Sequence, residues 1–443
     1  MFMKYKLTGY LLASCLLVTN IVKAQDISRY SSTTLEKIWS KVEANNTEVD
    51  INNKEIEIRL KNLKSAKAAR LPDVDAIGEY ARVSNMPLYD NGIFKTPTQI
   101  PVLHNYYKLG TGAYFNLYEG NKTSLEIAKS TVNVKISQIE KEMTVSDMKL
   151  ASAAYYLDML RASIFKGLLS QDIQSQKKQL EQITILHRNG VVLKSDVLRA
   201  ELKLAKQTLA LDQVINDFRI ANQKLNTLMG IEDPEALNTI EPLDQDSIMV
   251  STYDEYLDAA LVNAYSKKIS ESKEQISELE FKSVQGDSAP KIGLFANYAY
   301  SYPQIFLYPY AGNLYGFGMA GVKISYSISS LYKNKDRKTA AKLEIDKSKL
   351  EILRKDEEIK DAVYQSFLRL REAQTRIKVA GVSLKQSLEN QRINHNTYFN
   401  HLSLITDLLD ADTQVLQSRF DLESSKIAAQ FQYFQLLHTI GKL

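Results

Sequence analysis

One long stretch of this chain occurs twice, and a duplication restricts the fold to two copies of one unit. The first copy runs from Gly190 through Ser195-Asp196-Val197-Leu198 to Ala200. The second runs from His401 through Thr406-Asp407-Leu408-Leu409 to Ala411. Positions 196 and 407, 200 and 411, and 230 and 441 all stand 211 residues apart. In each copy a helical pattern breaks at Gly or Asn/His residues and restarts behind a Ser/Thr-Asp pair. It then continues to Leu228-Met229-Gly230 or to Thr439-Ile440-Gly441. A register kept over that distance predicts a duplicated helical hairpin.

The segment that enters the first hairpin is long. Val132, Ile136, Ile139, Met143, Leu150, Leu157, Leu160 and Ile164 are spaced by threes, fours and their sums, a near-heptad seam that continues to about Arg188. At 1.5 Å per residue such a helix is a rod on the order of 100 Å, longer than an ordinary globular domain. A similar pattern runs from about Asp336 to Asn394. Shorter helices are expected from Thr33-Thr34-Leu35-Glu36, where a hydroxyl can cap the first turn, to about Arg70, and from Tyr253 to Val284.

Before each long helix the period changes from helical to two. Val74, Ala76, Gly78 and Tyr80 alternate with Asp75 and Glu79; Leu109, Ala113, Phe115 and Leu117 alternate with Lys108, Gly112 and Asn116. The runs at 291–302 and 316–328 behave alike, with Asn297 and Lys323 on the polar side. Residues 291–332 hold eleven aromatics in 42 positions, against 9% for the whole chain, and that enrichment belongs to bilayer-crossing strands more than to a soluble sheet. Strands of about ten residues have the length that crosses a bilayer in a barrel. Four strands cannot close a barrel, and lipid does not tolerate an open edge, so several chains must contribute or the sheet is soluble.

Residues 1–24 read as a signal peptide: Lys4 and Lys6, the apolar run Leu7–Val18, and Val22-Lys23-Ala24 before Gln25. Within it, Leu12-Ala13-Ser14-Cys15 resembles a lipobox, which makes lipidation at Cys15 the alternative processing. Cys15 is the only cysteine, so the mature chain has no intrachain disulfide and no cysteine metal site. The organisation expected is a first repeat at 25–230, with strands at about 73–83 and 107–118 and a hairpin at 121–229. A Pro-containing linker follows at 231–252. The second repeat is 253–443, with strands at about 291–302 and 316–328 and a hairpin at 336–440.

The net charge is +4, and Lys4, Lys6 and Lys23 of the leader supply three of those charges, so bulk charge gives no case for a nucleic-acid partner, and none is expected. Gly316-x-Gly318-x-x-Gly321 has dinucleotide-fingerprint spacing but lies in an alternating run, away from any helix start. His395 and His401 are six apart, off the spacing that puts two ligands on one helix face. No Gly-x-Ser-x-Gly, His-Glu-x-x-His or P-loop occurs, so neither an enzyme nor a cofactor or metal is expected.

The duplicated strand, strand, long-helix order, the exit Leu117-Tyr118-Glu119-Gly120-Asn121-Lys122 and the tip Ile405-Thr406-Asp407-Leu408-Leu409-Asp410-Ala411-Asp412-Thr413 together resemble the TolC-like outer-membrane efflux family, over essentially all of the mature chain. The resemblance implies a mainly α fold with membrane β. Three chains would share a twelve-stranded transmembrane β-barrel and an α-barrel tunnel reaching into the periplasm. It implies a passive exit duct of a tripartite efflux or type I secretion system in the outer membrane of a Gram-negative bacterium. The partners implied are outer-membrane lipid, a periplasmic adaptor and an inner-membrane RND or ABC-type pump.

By the same resemblance, Asp407 and Asp410 would form acidic rings at the constricted inner mouth. The plainer reading is that acids suit the first turn of a helix. Tyr398 matches a Tyr of the family's mouth closure, whereas Ser403 stands in place of its Arg and His401 in place of its Gly, which leaves the closing contacts open. Gly190, Ser195, Asp196 and Thr406 belong to tips where an adaptor would dock, or are simply turns. Asp75, Glu79, Lys108, Asn116, Asn297 and Lys323 would line the barrel lumen if the apolar faces meet lipid. The rival from another class is a periplasmic or surface coiled-coil scaffold with a small sheet.

Overall fold

The computed structural model describes residues 31–32, 34–231, 237–238, 251–303 and 312–443. The expected leader with Cys15, most of the expected linker and the middle of the loop after Pro303 lie outside the described residues. The first repeat contains β1 (Ser31–Ser32), α1 (Leu35–Asn45), α2 (Thr47–Ala68), β2 (Asp73–Arg82), β3 (Met86–Leu88), β4 (Thr98–Ile100), β5 (Asn105–Glu119), α3 (Lys122–Arg188) and α4 (Lys194–Leu228). After β6 (Leu237–Asn238), the second contains α5 (Tyr253–Asn263), α6 (Tyr265–Gly286), β7 (Lys291–Tyr302), β8 (Tyr315–Ser325), α7 (Ser330–Lys333), α8 (Lys335–Phe399) and α9 (Ile405–Thr439).

The first helix of each repeat is broken, where the sequence pattern predicts it to be continuous. Thr34 caps α1 as expected, its hydroxyl accepting from the Lys37 N–H, but the helix stops at Asn46. Asn46 takes extended backbone angles. Its Oδ1 accepts from the N–H groups of Glu48 (2.9 Å) and Val49 (3.4 Å) to start α2, and its amide donates to the Leu228 carbonyl at 2.9 Å. In the second repeat the break falls at Ala264, between α5 and α6. Each break receives the end of the return helix of its own repeat. Gly230 and Gly441 have left-handed backbones (φ +65° and +70°), and a Cβ on them would lie 2.5 Å from the Asn45 carbonyl oxygen and 2.7 Å from that of Asn263. The kinks are tertiary contacts, invisible to periodicity.

Two apolar cores follow from this docking. One joins Leu35, Ile38 and Val42 of α1 to Tyr156 and Met159 of α3 and to Leu225 and Met229 at the end of α4. Its counterpart joins Tyr256 and Ala260 of α5 to Ile359, Val363 and Leu370 of α8 and to Leu436 and Ile440. Leu237, in the expected linker, is buried in the first core, and β6 pairs in parallel with β1. α3 also packs on the second repeat, where Lys129 pairs with Glu280 at 2.7 Å; Trp39 of α1, which donates to the Lys149 carbonyl of α3, meets Phe434 of α9 edge-on at 5.7 Å.

The sheet order is β2-β5-β7-β8, all antiparallel, and β3 and β4 form a separate ribbon inside the expected loop between β2 and β5. β8 ends at Ser325, short of the expected 328, because the N–H groups of Ser330 and Leu331 turn back to Ser327 and Ile328 and start α7. Register sets the faces. Asp75 lies opposite Gly112, which lies opposite Asn297; Glu79 lies opposite Lys108, and Asn116 opposite Gly293 and then Lys323. Directly paired residues share a face, so all six polar residues singled out in the sequence lie on one side. Val74, Leu109, Ala296 and Val322 share the other. That apolar face has no cover among the described residues: Leu109 is 66% exposed and Ile324 68%.

Charge joins the rods where they meet the sheet, through Asp287 at the end of α6. Lys122, the first residue of α3, pairs with Asp287; Arg337 of α8 meets the same carboxylate at 3.0 Å, and Lys291 pairs with Glu119. Burial pushes the Asp287 carboxyl up, but the hydrogen bonds and charges of Lys122 and Arg337 outweigh it and hold it below the usual range.

The left-handed glycines give a stability test. Gly190 (φ +76°) has open space around its missing Cβ, so Gly190→Ala is expected to cost only the left-handed penalty of about 1–2 kcal/mol. Gly230→Ala adds a collision with the Asn45 carbonyl and is expected to cost more. Chemical or thermal unfolding of the two variants checks the order.

Candidate functional site at the hairpin tips

Both hairpins turn in the same way. Asn189 caps the end of α3, Gly190 is left-handed, and the Gly190 and Val191 N–H groups donate to the His187 and Leu186 carbonyls, both at 2.9 Å. Asn400 caps the end of α8, His401 is left-handed (φ +61°), and the His401 and Leu402 N–H groups donate to the Tyr398 and Thr397 carbonyls, both at 2.8 Å. This is the helix-ending turn in which two returning N–H groups satisfy the last carbonyls. Extended Leu193 and Leu404 then start α4 and α9.

Packing at the tips is apolar and joins the two hairpins. Ile183 of α3, Val197 and Ala200 of α4, Tyr398 of α8, and Ile405, Leu408 and Leu409 of α9 form one buried cluster. Asp407 and Asp410 lie outside it, exposed and one turn apart. Asp407 also serves its own helix, since its Oδ2 accepts from the Leu404 N–H at 3.2 Å and satisfies a donor at the start of α9. In the first tip, Ser195 and Gly190 are exposed, Asp196 is half-buried, and the Ser195 hydroxyl lies 3.4 Å from Asp196 Oδ1. Thr406 is half-buried, His401 exposed, and the Ser403 hydroxyl accepts from Thr397 Oγ1 at 3.1 Å. The Tyr398 ring is buried, and its hydroxyl has no hydrogen-bond partner among the described residues. Burial, and then the charge of Asp196, push the Tyr398 phenol up to about 12.

A second group of polar residues lies behind the tips, one that the sequence pattern alone does not single out. Lys203 of α4 donates to the Leu409 carbonyl at 2.6 Å and stands 3.6 Å from Asp412 Oδ2. Asp412 also accepts from Gln391 of α8 (2.8 Å) and Gln176 of α3 (3.2 Å). Asp172 of α3 and Gln207 of α4 complete the group. Burial pushes the Asp172 carboxyl up; the Lys203 charge opposes this, and the Asp412 charge adds to it. Burial lowers the Lys203 ammonium, and the charges of Asp412 and Asp172 oppose that. A signal was present: Lys203 and Gln207 continue the Val197-Ala200 stripe at helical spacing, and Asp412 follows Leu408-Leu409 on the buried face of α9.

Duplicated long hairpins joined to a four-stranded antiparallel sheet define the fold of the TolC-like outer-membrane channels. Solved structures carry the comparison: no family model matches the chain, and no curated protein does. The channel CusC superposes with a TM-score of 0.77 at 13% identity, over 94% of this chain and 93% of that one. The Campylobacter jejuni outer-membrane channel CmeC gives 0.72 at 14%, over 98% and 94%. The Neisseria gonorrhoeae channel MtrE, in its open state, gives 0.71 at 15%, over 92% and 88%. At these identities the likeness is one of fold.

Two tests follow. Asp172 has a raised pKa, so its carboxylate costs stability above that raised value, and the cost disappears once native and unfolded chains are both protonated. Asp172→Asn is therefore expected to raise the melting temperature at pH 7–8 by a few degrees, and the gain to vanish toward about pH 4. The raised Tyr398 pKa means that stability falls as pH rises from about 10 to about 12. Tyr398→Phe is expected to remove that loss without lowering stability at neutral pH, since the buried hydroxyl is unpaired. Melting curves against pH check both.

Proposed function

We propose that this chain is the outer-membrane exit duct of a tripartite efflux or type I secretion system in a Gram-negative bacterium. It acts as a homotrimer, spanning the outer membrane and extending into the periplasm. Three copies of the sheet join edge to edge into one twelve-stranded barrel, and the hairpins form the tunnel. A periplasmic adaptor meets the tips around Gly190, Ser195, Asp196 and Thr406, and an inner-membrane RND or ABC-type pump supplies the energy. The duct itself is passive.

The observation that carries this reading is the sheet. It has a continuous apolar face, an opposite face bearing Asp75, Glu79, Lys108, Asn116, Asn297 and Lys323, and two edges, β2 and β8, with no strand beyond them among the described residues. A sheet with one apolar and one polar face suits a wall between lipid and water, and edge pairing between copies supplies the missing hydrogen bonds. No described helix is long and apolar enough to cross a membrane, which leaves the strands as the spanning elements of this reading. The exposed Asp407 and Asp410 at the tip fit two acidic rings that attract cations in a narrow mouth.

Planar-bilayer conductance of the purified mature protein tests the proposal. Cation-selective steps are expected, and Asp407→Asn/Asp410→Asn is expected to lower the cation preference by a factor on the order of ten. Protein that fractionates as soluble and forms no channel when folded would favour the scaffold reading. Channels whose selectivity ignores the double substitution would remove the acids from the mouth.

A further inference from the structure

The two hairpins pack through apolar layers interrupted by one polar layer. On the tip side lie Ile183, Val197, Leu408 and Leu409. On the other side Phe165 stacks on Phe420 at 4.2 Å, and Leu157, Leu160 and Ile427 form a further cluster. Between them all four long helices contribute polar groups: Asp172 and Gln176, Lys203 and Gln207, Gln391, and Asp412. The side chains of Lys203 and Asp412 are only 10% and 6% exposed.

Such a layer is a poor way to gain stability. Two buried ions forfeit hydration, and an apolar replacement of similar volume is often as stable or more so. The layer is also incompletely satisfied, since Asp172 Oδ2 and Gln207 Oε1 have no partner among the described residues. What an ion pair supplies is register: Lys203 and Asp412 meet only when α4 and α9 are correctly aligned, whereas apolar surfaces tolerate a slip. The grip is specific in place too. The Leu409 carbonyl that Lys203 holds directly precedes Asp410, and Asp407 lies one turn before that.

We propose that Lys203 is a positioning residue that, with Asp412, forms a separable joint between the first hairpin and the α9 turn bearing Asp407 and Asp410. When the hairpins part, both ions regain water, so this layer separates more readily than an apolar one would. The link to the mouth rests on the duct reading; the joint itself does not.

Hydrogen exchange of the segment 404–413, measured by mass spectrometry on the full protein in detergent, tests the joint. Lys203→Met leaves Asp412 buried without its cation and is expected to speed exchange there by about tenfold or more, while 35–45 in the first core is unchanged. Lys203→Met/Asp412→Leu, made in an Asp172→Asn background so that no carboxylate of the layer is left without its cation, removes both ions and is expected to return exchange to the wild-type rate or below. Asp412→Asn keeps the side-chain shape, serves if Lys203→Met does not fold, and is expected to accelerate exchange by a smaller factor. Unchanged exchange in the single variants, equal acceleration in both segments, or no rescue by the double substitution each overturns the joint. Conductance of the same proteins separates the two ideas. Larger steps in Lys203→Met that the double substitution reverses place the joint at the mouth. A silent wild-type protein overturns the duct reading and leaves the exchange result to decide the joint.

Discussion

A four-stranded antiparallel sheet leaves two rows of backbone N–H and C=O groups at its edges, here along β2 and β8, with no strand beyond them among the described residues. In hydrocarbon each unpaired group costs several kcal/mol, so a sheet of this kind enters lipid only when the edges of neighbouring copies meet. That one requirement orders much of the chain. Cross-strand register brings every polar residue singled out in the strands to one side and Val74, Leu109, Leu294, Val322 and Ile324 to the other. It also sets where the rods begin, because β5 and β8 run almost directly into α3 and α7–α8. The charged contacts of Asp287 with Lys122 and Arg337 hold the two rods together at that junction.

Much of the architecture could be read from the sequence because it is periodic. Alternation over ten or more residues and a heptad-like seam over sixty leave few alternatives, and the 211-residue repeat says that whatever forms once forms twice. The TolC-like resemblance drawn from these patterns holds at the level of fold. The kinks at Asn46 and Ala264 were not legible. Asn46 is a capping residue that a helical period passes over, Ala264 carries no side-chain cap, and each break receives a helix-ending glycine from far along the chain, a contact that no local preference encodes. Nor was the β3–β4 ribbon, whose strands of three residues are too short to show a period.

The tips divide the same way. Asp407 and Asp410 stand out through the resemblance of the Thr-Asp-Leu-Leu-Asp run to the family's tip, since acids beside a helix start are by themselves unremarkable. The structure adds that Asp407 caps Leu404. Lys203 and Asp412 escaped notice because each looks like an ordinary charged residue of a long helix. Only the packing shows that they face each other on the buried stripe between hairpins. A charge on an apolar seam is the signal to seek, and it requires knowing which seam faces which.

The distribution of apolar packing argues that the molecule is stiff at its middle and more adaptable at its tips. The two equatorial cores join three helices each and contain fully buried Tyr, Met and Leu side chains, together with the left-handed glycines that seal the return helices. Toward the tips the polar layer interrupts the apolar stack, so the last turns of the hairpins are joined to the rest by contacts that gain less from burial. The second tip carries an added load: His401 adopts the left-handed backbone that Gly190 takes freely in the first, at about 1–2 kcal/mol. Strain, an unpaired Tyr398 hydroxyl and a buried ion pair thus gather within a few turns of one another, in the hairpin that carries Asp407 and Asp410 and at its contact with the first. Asn121, at the sheet end of α3, is also left-handed, and Ser146 Oγ is also without a partner among the described residues; it is the coincidence of such features with a buried ion pair near the tips that lowers the cost of rearranging that end without loosening the cores.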